Sequence, residues 1–272
     1  MPRPLVVFDT ETATTRGAPH LLEIGAVRIE DGDITGHFEA LVRPEVRIDE
    51  FAFHVHGIDD EMVRDARPAK EVIAAFLAFA GDDWLVAHNA PFDAGVLAFE
   101  AARYGLTLPS SPLIDTLKLS RRYLPEASDH KLDTLTAHLD IEVEVHHRAL
   151  ADAVSCSRVL EACIERMTAD DAACSGEALF FELLARGSSR LTLASAAPQT
   201  PRIPTRLRGL AHACRDRSAV TLLYGEDGAP ARLPVAPRLL FKLGARDYLE
   251  AECVRSGTLK TYRLDRVQRL VD

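Results

Sequence analysis

Three short segments carry residues whose types and spacing suit chemistry. Asp9-Thr10-Glu11 ends an apolar run, Leu5-Val6-Val7-Phe8. Side chains alternate along a strand, so Asp9 and Glu11 share a face and Thr10 turns to the other. Two carboxylates this close repel unless a cation sits between them. His88-Asn89-Ala90-Pro91-Phe92-Asp93 follows another apolar run and opens a helical pattern, and His147 precedes Asp152 at the start of a further helix. Alone, Asp93 reads as a helix-dipole partner, and His147 with Asp152 as a surface pair or a cap. Together the segments hold four carboxylates, Asp9, Glu11, Asp93 and Asp152, each at a strand end or helix start. Hard oxygen ligands of this kind suit Mg2+ or Mn2+ rather than zinc. A pair of such ions is a device for in-line phosphodiester cleavage. His147 then suits a general base, because an imidazole titrates near neutrality.

The elements that must position these residues follow from the hydrophobic pattern. Leu5–Phe8, Leu21–Ile29 and Ile34–Val42 read as three strands, with Asp31-Gly32-Asp33 as a hairpin turn between the last two. Ala69–Ala80 reads as a helix with Val72, Phe76 and Phe79 inward, Trp84–His88 as a strand and residues 92–104 as a helix. Leu113–Asp115 is a short strand running into a helix, and Lys131–Leu139 and Ala149–Arg166 are further helices. Strands alternating with helices after a meander predict a mixed α/β sheet with helices on its faces. Residues 169–204 change character: a short helical pattern, Glu177–Ala185, is followed by Gly187-Ser188-Ser189 and by Pro198, Pro201 and Pro204. That composition predicts a linker. Beyond it, a short helix at Leu207–Arg215 precedes four strand-like runs, Ala219–Tyr224, Leu239–Leu243, Tyr248–Val254 and Thr261–Leu264. Turns are expected at Gly225–Gly228 and Ser256-Gly257. Short strands at this spacing predict a small β-barrel or sandwich.

Phe8-Asp9-Thr10-Glu11-Thr12, His88-Asn89-Ala90-Pro91-Phe92-Asp93 and His147-x4-Asp152 closely resemble the three motifs of the DEDDh 3′→5′ exonucleases. That family includes the proofreading epsilon subunit of bacterial DNA polymerase III and ribonuclease T. Leu21-Leu22-Glu23-Ile24-Gly25-Ala26-Val27, His56-Gly57-Ile58 and Ile114-Asp115-Thr116-Leu117 match other recurring segments. The resemblance covers residues 1–168 in order and spacing, and implies a ribonuclease H-like fold. It implies that Asp9, Glu11, Asp93 and Asp152 hold two Mg2+ or Mn2+ ions and that His147 is the general base; His146 does not fit the spacing. Thr12, His56 and Asn89 are implied near the 3′-terminal nucleotide. The expected products are 5′-mononucleotides from single-stranded ends, with DNA favoured over RNA.

The tail has its own resemblance. Val220–Tyr224, Leu233-Pro234-Val235-Ala236-Pro237, Asp247-Tyr248-Leu249 and Tyr262-Arg263-Leu264-Asp265-Arg266-Val267 resemble the WYL domain, which implies a small Sm/SH3-like β-barrel over residues 205–272. Asp247 stands where that triad has tryptophan. Tyr248, Arg263, Arg266 and Arg238 are the implied positions for a nucleotide or single-stranded ligand; the alternative is a barrel core with a salt-bridged edge. Two other roles stay open, a regulator whose nuclease is gated through the WYL-like tail and a polymerase proofreading subunit.

Charge separates the two parts. Residues 201–272 hold 14 Lys and Arg against 8 Asp and Glu, leaving 18 against 33 for residues 1–200. A basic tail fits a phosphate backbone or an ordinary surface equally. Five scattered cysteines without a C-x-x-C pair argue against a zinc ribbon and a disulfide framework. Apolar runs are far short of the ~20 residues that span a bilayer, and four apolar residues near the N-terminus are too few for a signal-peptide core. A cytoplasmic protein without membrane contact is expected.

Overall fold

A computed structural model describes residues 4–15, 17–143, 147–170, 175–188, 191–225 and 230–271. The chain divides into two compact units. The first comprises Met1–Thr15, Pro19–Ala101 and Thr107–Ala196. The second comprises Arg16–Ala18, Ala102–Leu106 and Ala197–Asp272.

The first unit opens with a meander, β1 (Leu5–Thr12), β2 (Leu21–Glu30) and β3 (Asp33–Arg43), followed by α1 (Glu50–His56) and the two-residue β4 (Arg67–Pro68). Then come α2 (Ala69–Ala80), β5 (Trp84–Ala87), α3 (Pro91–Tyr104), β6 (Leu113–Asp115), α4 (Thr116–Tyr123), α5 (Leu132–His138), α6 (Ala149–Asp170) and α7 (Glu177–Gly187). The sheet order is β4-β3-β2-β1-β5-β6. β1 runs antiparallel to β2 and parallel to β5, which gives the mixed sheet expected.

Both faces of β1 are covered, which is why Leu5–Phe8 is apolar without alternation. Leu5 and Val7 join the core formed with Val159, Leu160 and Cys163 of α6. Phe8 meets Phe76 of α2 with ring centroids 5.3 Å apart. Asp9 and Glu11 continue the Leu5–Val7 row, so they emerge where α6 begins. Glycine makes that junction possible. A Cβ on Gly25 would lie 2.1 Å from the Leu150 backbone nitrogen and 2.3 Å from the Ala149 carbonyl carbon. Gly25 pairs with Asp9, so its missing side chain lets the first turn of α6 rest on the strand beside the acids.

The segment read as a linker contributes α7 to this core. Leu179, Phe180 and Leu183 are buried, and Phe180 packs on Trp84 with centroids 4.0 Å apart. Helix α1 was not foreseen, because seven residues offer too little periodicity. Its signal is local: Asp49 accepts a hydrogen bond from the Ala52 amide and caps it, and Gly57 ends it at φ 69°.

The second unit has α8 (Gly209–Asp216), preceded by a 3-10 turn at Thr205–Leu207, and five strands. These are β7 (Val220–Tyr224), β8 (Ala231–Leu243), β9 (Arg246–Cys253), β10 (Leu259–Arg263) and β11 (Val267–Val271). The turn expected at Gly225–Gly228 lies, beyond Gly225, outside the described residues. β8 begins eight residues before the expected run. Pro234 and Pro237 disguise it, and the pairing slips at a bulge between Pro237 and Leu239. The order β10-β9-β8-β7-β11 leaves β10 and β11 as edges, so the sheet is antiparallel but not a closed barrel among the described residues. Its core holds Leu207, Leu210, Leu222, Val235, Leu249, Tyr262 and Val267. No helix among the described residues is long and apolar enough to cross a membrane.

Gly25→Ala is expected to cost about 3 kcal/mol or more, because the clash is with backbone and not with a movable side chain. Urea denaturation followed by circular dichroism checks this; stability equal to the parent chain would contradict the packing described.

Candidate active site

The carboxylates of Asp9, Glu11 and Asp152 offer oxygen atoms that all lie within 4.8 Å of one another. They come from two local devices, a strand end and a helix start. Asp9 and Glu11 sit two apart on β1, ahead of a break in register at Glu11/Thr12. Asp152 lies in the first turn of α6, where its amide donates to the Arg148 carbonyl at 2.9 Å. Asp93 lies in the first turn of α3 and is 1% exposed. The Thr10 hydroxyl donates to Asp93 Oδ1 at 2.7 Å. Thr10 does turn away from Asp9 and Glu11, and by doing so it ties the fourth acid to the same strand.

A fifth carboxylate, Glu23, stands opposite Glu11 on β2 and is fully buried. Arg148 reaches it through Nε at 3.1 Å and Nη2 at 2.6 Å, and the Ala149 amide donates to its Oε2 at 2.9 Å. Glu23 therefore caps α6 from a neighbouring strand and clamps the residue next to His147. His147 has φ 57°, a left-handed conformation costly for a side chain with a Cβ. Its Nε2 lies 3.8 Å from Asp133 Oδ2. His146 lies outside the described residues.

The other expected residues divide. His56 is buried; its Nδ1 accepts from the Ile58 amide at 3.0 Å, so its Nε2 donates to the Thr12 carbonyl at 3.3 Å. That bond, with the Asp49 amide donating to the Ala13 carbonyl, ties α1 to the end of β1. Thr12 is buried, and its hydroxyl donates to the Thr14 carbonyl at 3.2 Å. Asn89 is exposed at φ 58°, and its amide donates to Asp115 Oδ1 at 3.0 Å. Three large apolar side chains on α1 and in the first turn of α3 escaped sequence reasoning: Phe51 is 75%, Val55 48% and Phe92 50% exposed.

In the second unit Tyr248 and Arg263 face each other across β9 and β10. Arg246, Arg263 and Arg266 gather around Asp265, which they hold below its ordinary carboxylate pKa, the Arg263 hydrogen bond first. Arg238 pairs with Glu252 at 2.6 Å. Both acid–base pairs fit the salt-bridged alternative as well as a ligand site.

The sequence profile of the RNase_T family, described as an exonuclease, matches residues 6–160, and that of the WYL domain matches residues 205–271. The chain belongs to the exonuclease family. The DNA polymerase III PolC-type protein of Oceanobacillus iheyensis is 39% identical over 163 residues, 60% of this chain and 11% of that protein. Its counterpart in Latilactobacillus sakei is 40% identical over 156 residues, 57% of this chain and 11% of that one. The chain thus spans about a tenth of the length of these relatives. Among solved structures, exonuclease I covers 99% of this chain and 64% of its own at a TM-score of 0.56 and 14% identity. The nuclease domain of 3′hExo, a DEDDh family member bound to rAMP, covers 62% and 92% at a TM-score of 0.52 and 17% identity. These likenesses support the ribonuclease H-like exonuclease fold.

Charge is the site's dominant physical feature. Burial raises Glu11 from its ordinary 4.5 to about 8, with Asp152, Glu23 and Asp93 adding and Arg148 opposing. Asp93 rises to about 7, chiefly through burial and against the Thr10 hydrogen bonds. Asp9 stands well above 3.8 because of burial and then Asp93, Glu11 and Asp152. Carboxylate oxygens alone, held close and short of a neutralising cation, fit a divalent ion of the Mg2+ or Mn2+ type.

The raised pKa values have a sign. Between about 4.5 and about 8 the folded acids keep protons that the unfolded chain has released. The stability of the metal-free protein therefore falls as pH rises through that window. Thermal melts in EDTA are expected to show a lower Tm at pH 8 than at pH 5, and Mn2+ to raise Tm more at pH 8. Equal Mn2+ shifts at both pH values would contradict the charge assignment.

Proposed function

We propose that the chain is a two-metal-dependent 3′→5′ exonuclease acting on single-stranded ends, DNA ahead of RNA, and releasing 5′-mononucleotides. The observation that carries this reading is the convergence of Asp9, Glu11 and Asp152 within 4.8 Å, with Asp93 hydrogen-bonded to Thr10 of the same strand. Asp9, Glu11, Asp93 and Asp152 would hold the ions. Two divalent cations supply charge stabilisation to an in-line displacement at phosphorus.

The remaining work falls to the chain's own side chains. His147 takes the proton from the attacking water. Asp133 Oδ2 lies 3.8 Å from its Nε2, and the Glu23–Arg148 pair holds the backbone that presents it. Phe51 and Val55 on α1, with Phe92, offer apolar surface on which unstacked terminal bases lie, an interaction indifferent to base identity. Thr12 and His56 fix that surface relative to the acids, and Asn89 lies at the rim. In this reading the WYL-like tail grips single strands or a nucleotide through Tyr248, Arg263, Arg266 and Arg238. Its basic balance supports that role. A cytoplasmic setting goes with the free thiols of Cys156, Cys163, Cys214 and Cys253.

A time course on 5′-labelled single-stranded DNA and RNA of one sequence, with Mn2+ or Mg2+ against EDTA, tests the enzyme. The expected result is a ladder shortening from the 3′ end, faster on DNA, abolished by EDTA and absent in Asp9→Ala. His147→Ala is expected to lower kcat by about 10²–10⁴, the usual contribution of a general base. Intact substrate in every lane would overturn the reading.

A further inference from the structure

A second concave surface lies beside the acidic cluster. It has a volume of about 580 Å3 and is lined by His88, Asn89, Arg121, Asp129, His130 and Lys131, with Leu117 and Leu132 at its margins. Its two ends join the catalytic elements. Asn89 precedes the first turn that carries Asp93, and Lys131 lies two residues before Asp133, the neighbour of His147.

The floor of this groove is fixed. His88 Nδ1 is 2.8 Å from Thr116 Oγ1 and its Nε2 is 2.9 Å from the His130 carbonyl, so the 129–132 segment is pinned to the end of β5. Burial lowers the pKa of His88, which keeps that ring a neutral strut. Asp129 is occupied locally: its Oδ1 accepts from the Lys131 amide at 2.9 Å, and Thr134 donates to it as well. Arg121 and Lys131 are exposed, and neither makes a salt bridge among the described residues. His130 Nδ1, buried in the wall, has no hydrogen-bond partner among the described residues. Two cations that form no salt bridge among the described residues, though Lys131 feels the charge of Asp129, therefore face one groove in a region, residues 1–200, where acids outnumber bases 33 to 18. Surface cations in so acidic a setting ordinarily find acidic partners.

We propose that this groove is a phosphate subsite for the strand being degraded, in which Arg121 and Lys131 hold an internal phosphodiester next to the one being cleaved. The ligand chemistry is a phosphodiester of a nucleic-acid backbone. Arg121 presents a planar fork suited to two phosphate oxygens, and Lys131 a point charge. The site sets affinity and register for a chain of nucleotides and takes no part in bond breaking. It rests on the exonuclease reading, which supplies the strand.

The test compares two substrates. One is a single-stranded DNA oligonucleotide; the other is the p-nitrophenyl ester of thymidine 5′-monophosphate, which has one phosphate and leaves the subsite empty. In the full-length Arg121→Gln/Lys131→Gln variant, kcat/KM for the oligonucleotide is expected to fall tenfold or more relative to that for the ester, through KM. The dependence of log KM on log salt should flatten by about one to two, one for each phosphate contact removed. An oligonucleotide with a neutral methylphosphonate at the penultimate linkage should lose the same factor with the parent protein and nothing further with the variant. A parallel fall on both substrates, or no change on either, would overturn the subsite while leaving the exonuclease standing. Failure of the parent protein to cleave either substrate would overturn both.

Discussion

Mutual repulsion among buried carboxylates governs the arrangement of the first unit. After burial itself, Asp93, Asp152 and Glu23 raise the cost of ionising both Asp9 and Glu11, and Glu11 raises that of Asp9 further. At ~5 Å and an effective dielectric of ~20, two such charges repel by about 3 kcal/mol. Nothing in the acids' own chemistry brings them together, so the backbone must. The meander does so by register: Asp9 and Glu11 face α6 because Leu5 and Val7 do, and slipping by one residue would send all four to the other side. Core packing thus determines the face on which the charges emerge.

The opposing helix needs two further devices. Gly25 removes a side chain where α6 meets the sheet, and Glu23 supplies a carboxylate to the helix's open amide end. Arg148 compensates Glu23 with two nitrogens and lies 3.7 Å from Glu39, so its charge reaches Glu11 only as a lesser, opposing influence. Arg148 is committed chiefly to holding that loop, and the other acids are left short of positive charge among the described residues. A site built to attract cations requires that division. A second arginine among the acids would stabilise the metal-free fold and compete with the ions for the same oxygens.

Much of this was legible in the sequence, and the exceptions share a cause. The strands and long helices of residues 5–166 were readable because their apolar periodicity is dictated by a core on both faces of the sheet. The acids were readable only as a set, through the three motifs they share with the exonuclease family, because singly each reads as an ordinary strand end or helix start. Glu23 escaped as a functional group since it sits inside the apolar run Leu21–Val27, and its partner Arg148 is 125 residues away. Thr10 was placed on the correct face, but the acid it would meet there depends on where α3 starts. Helix α1 was hidden by its length, and β8 by Pro234 and Pro237, which signal a strand's end until a bulge accommodates them. For Glu23 and Thr10 the missing information is a contact between distant segments, which local propensity does not report; for α1 it is a local cap too short to register as periodicity.

The acidity of residues 1–200 poses a question that net charge alone answers wrongly. A polyanion approaching 33 acids and 18 bases should be repelled. At physiological ionic strength, however, charges beyond ~8 Å are largely screened, so the strand responds to what lies within a nucleotide or two of its path. In the proposed reading the acids along that path are grouped where divalent ions would reverse their sign. Arg121 and Lys131 line the groove that adjoins the elements carrying Asp93 and Asp133, and the exposed faces of Phe51, Val55 and Phe92 would hold bases without charge. Binding then depends on a few local patches. An acidic protein organised this way would engage a single strand at its end, where bases are free to unstack, and would gain little from the uniform phosphate lattice of a duplex.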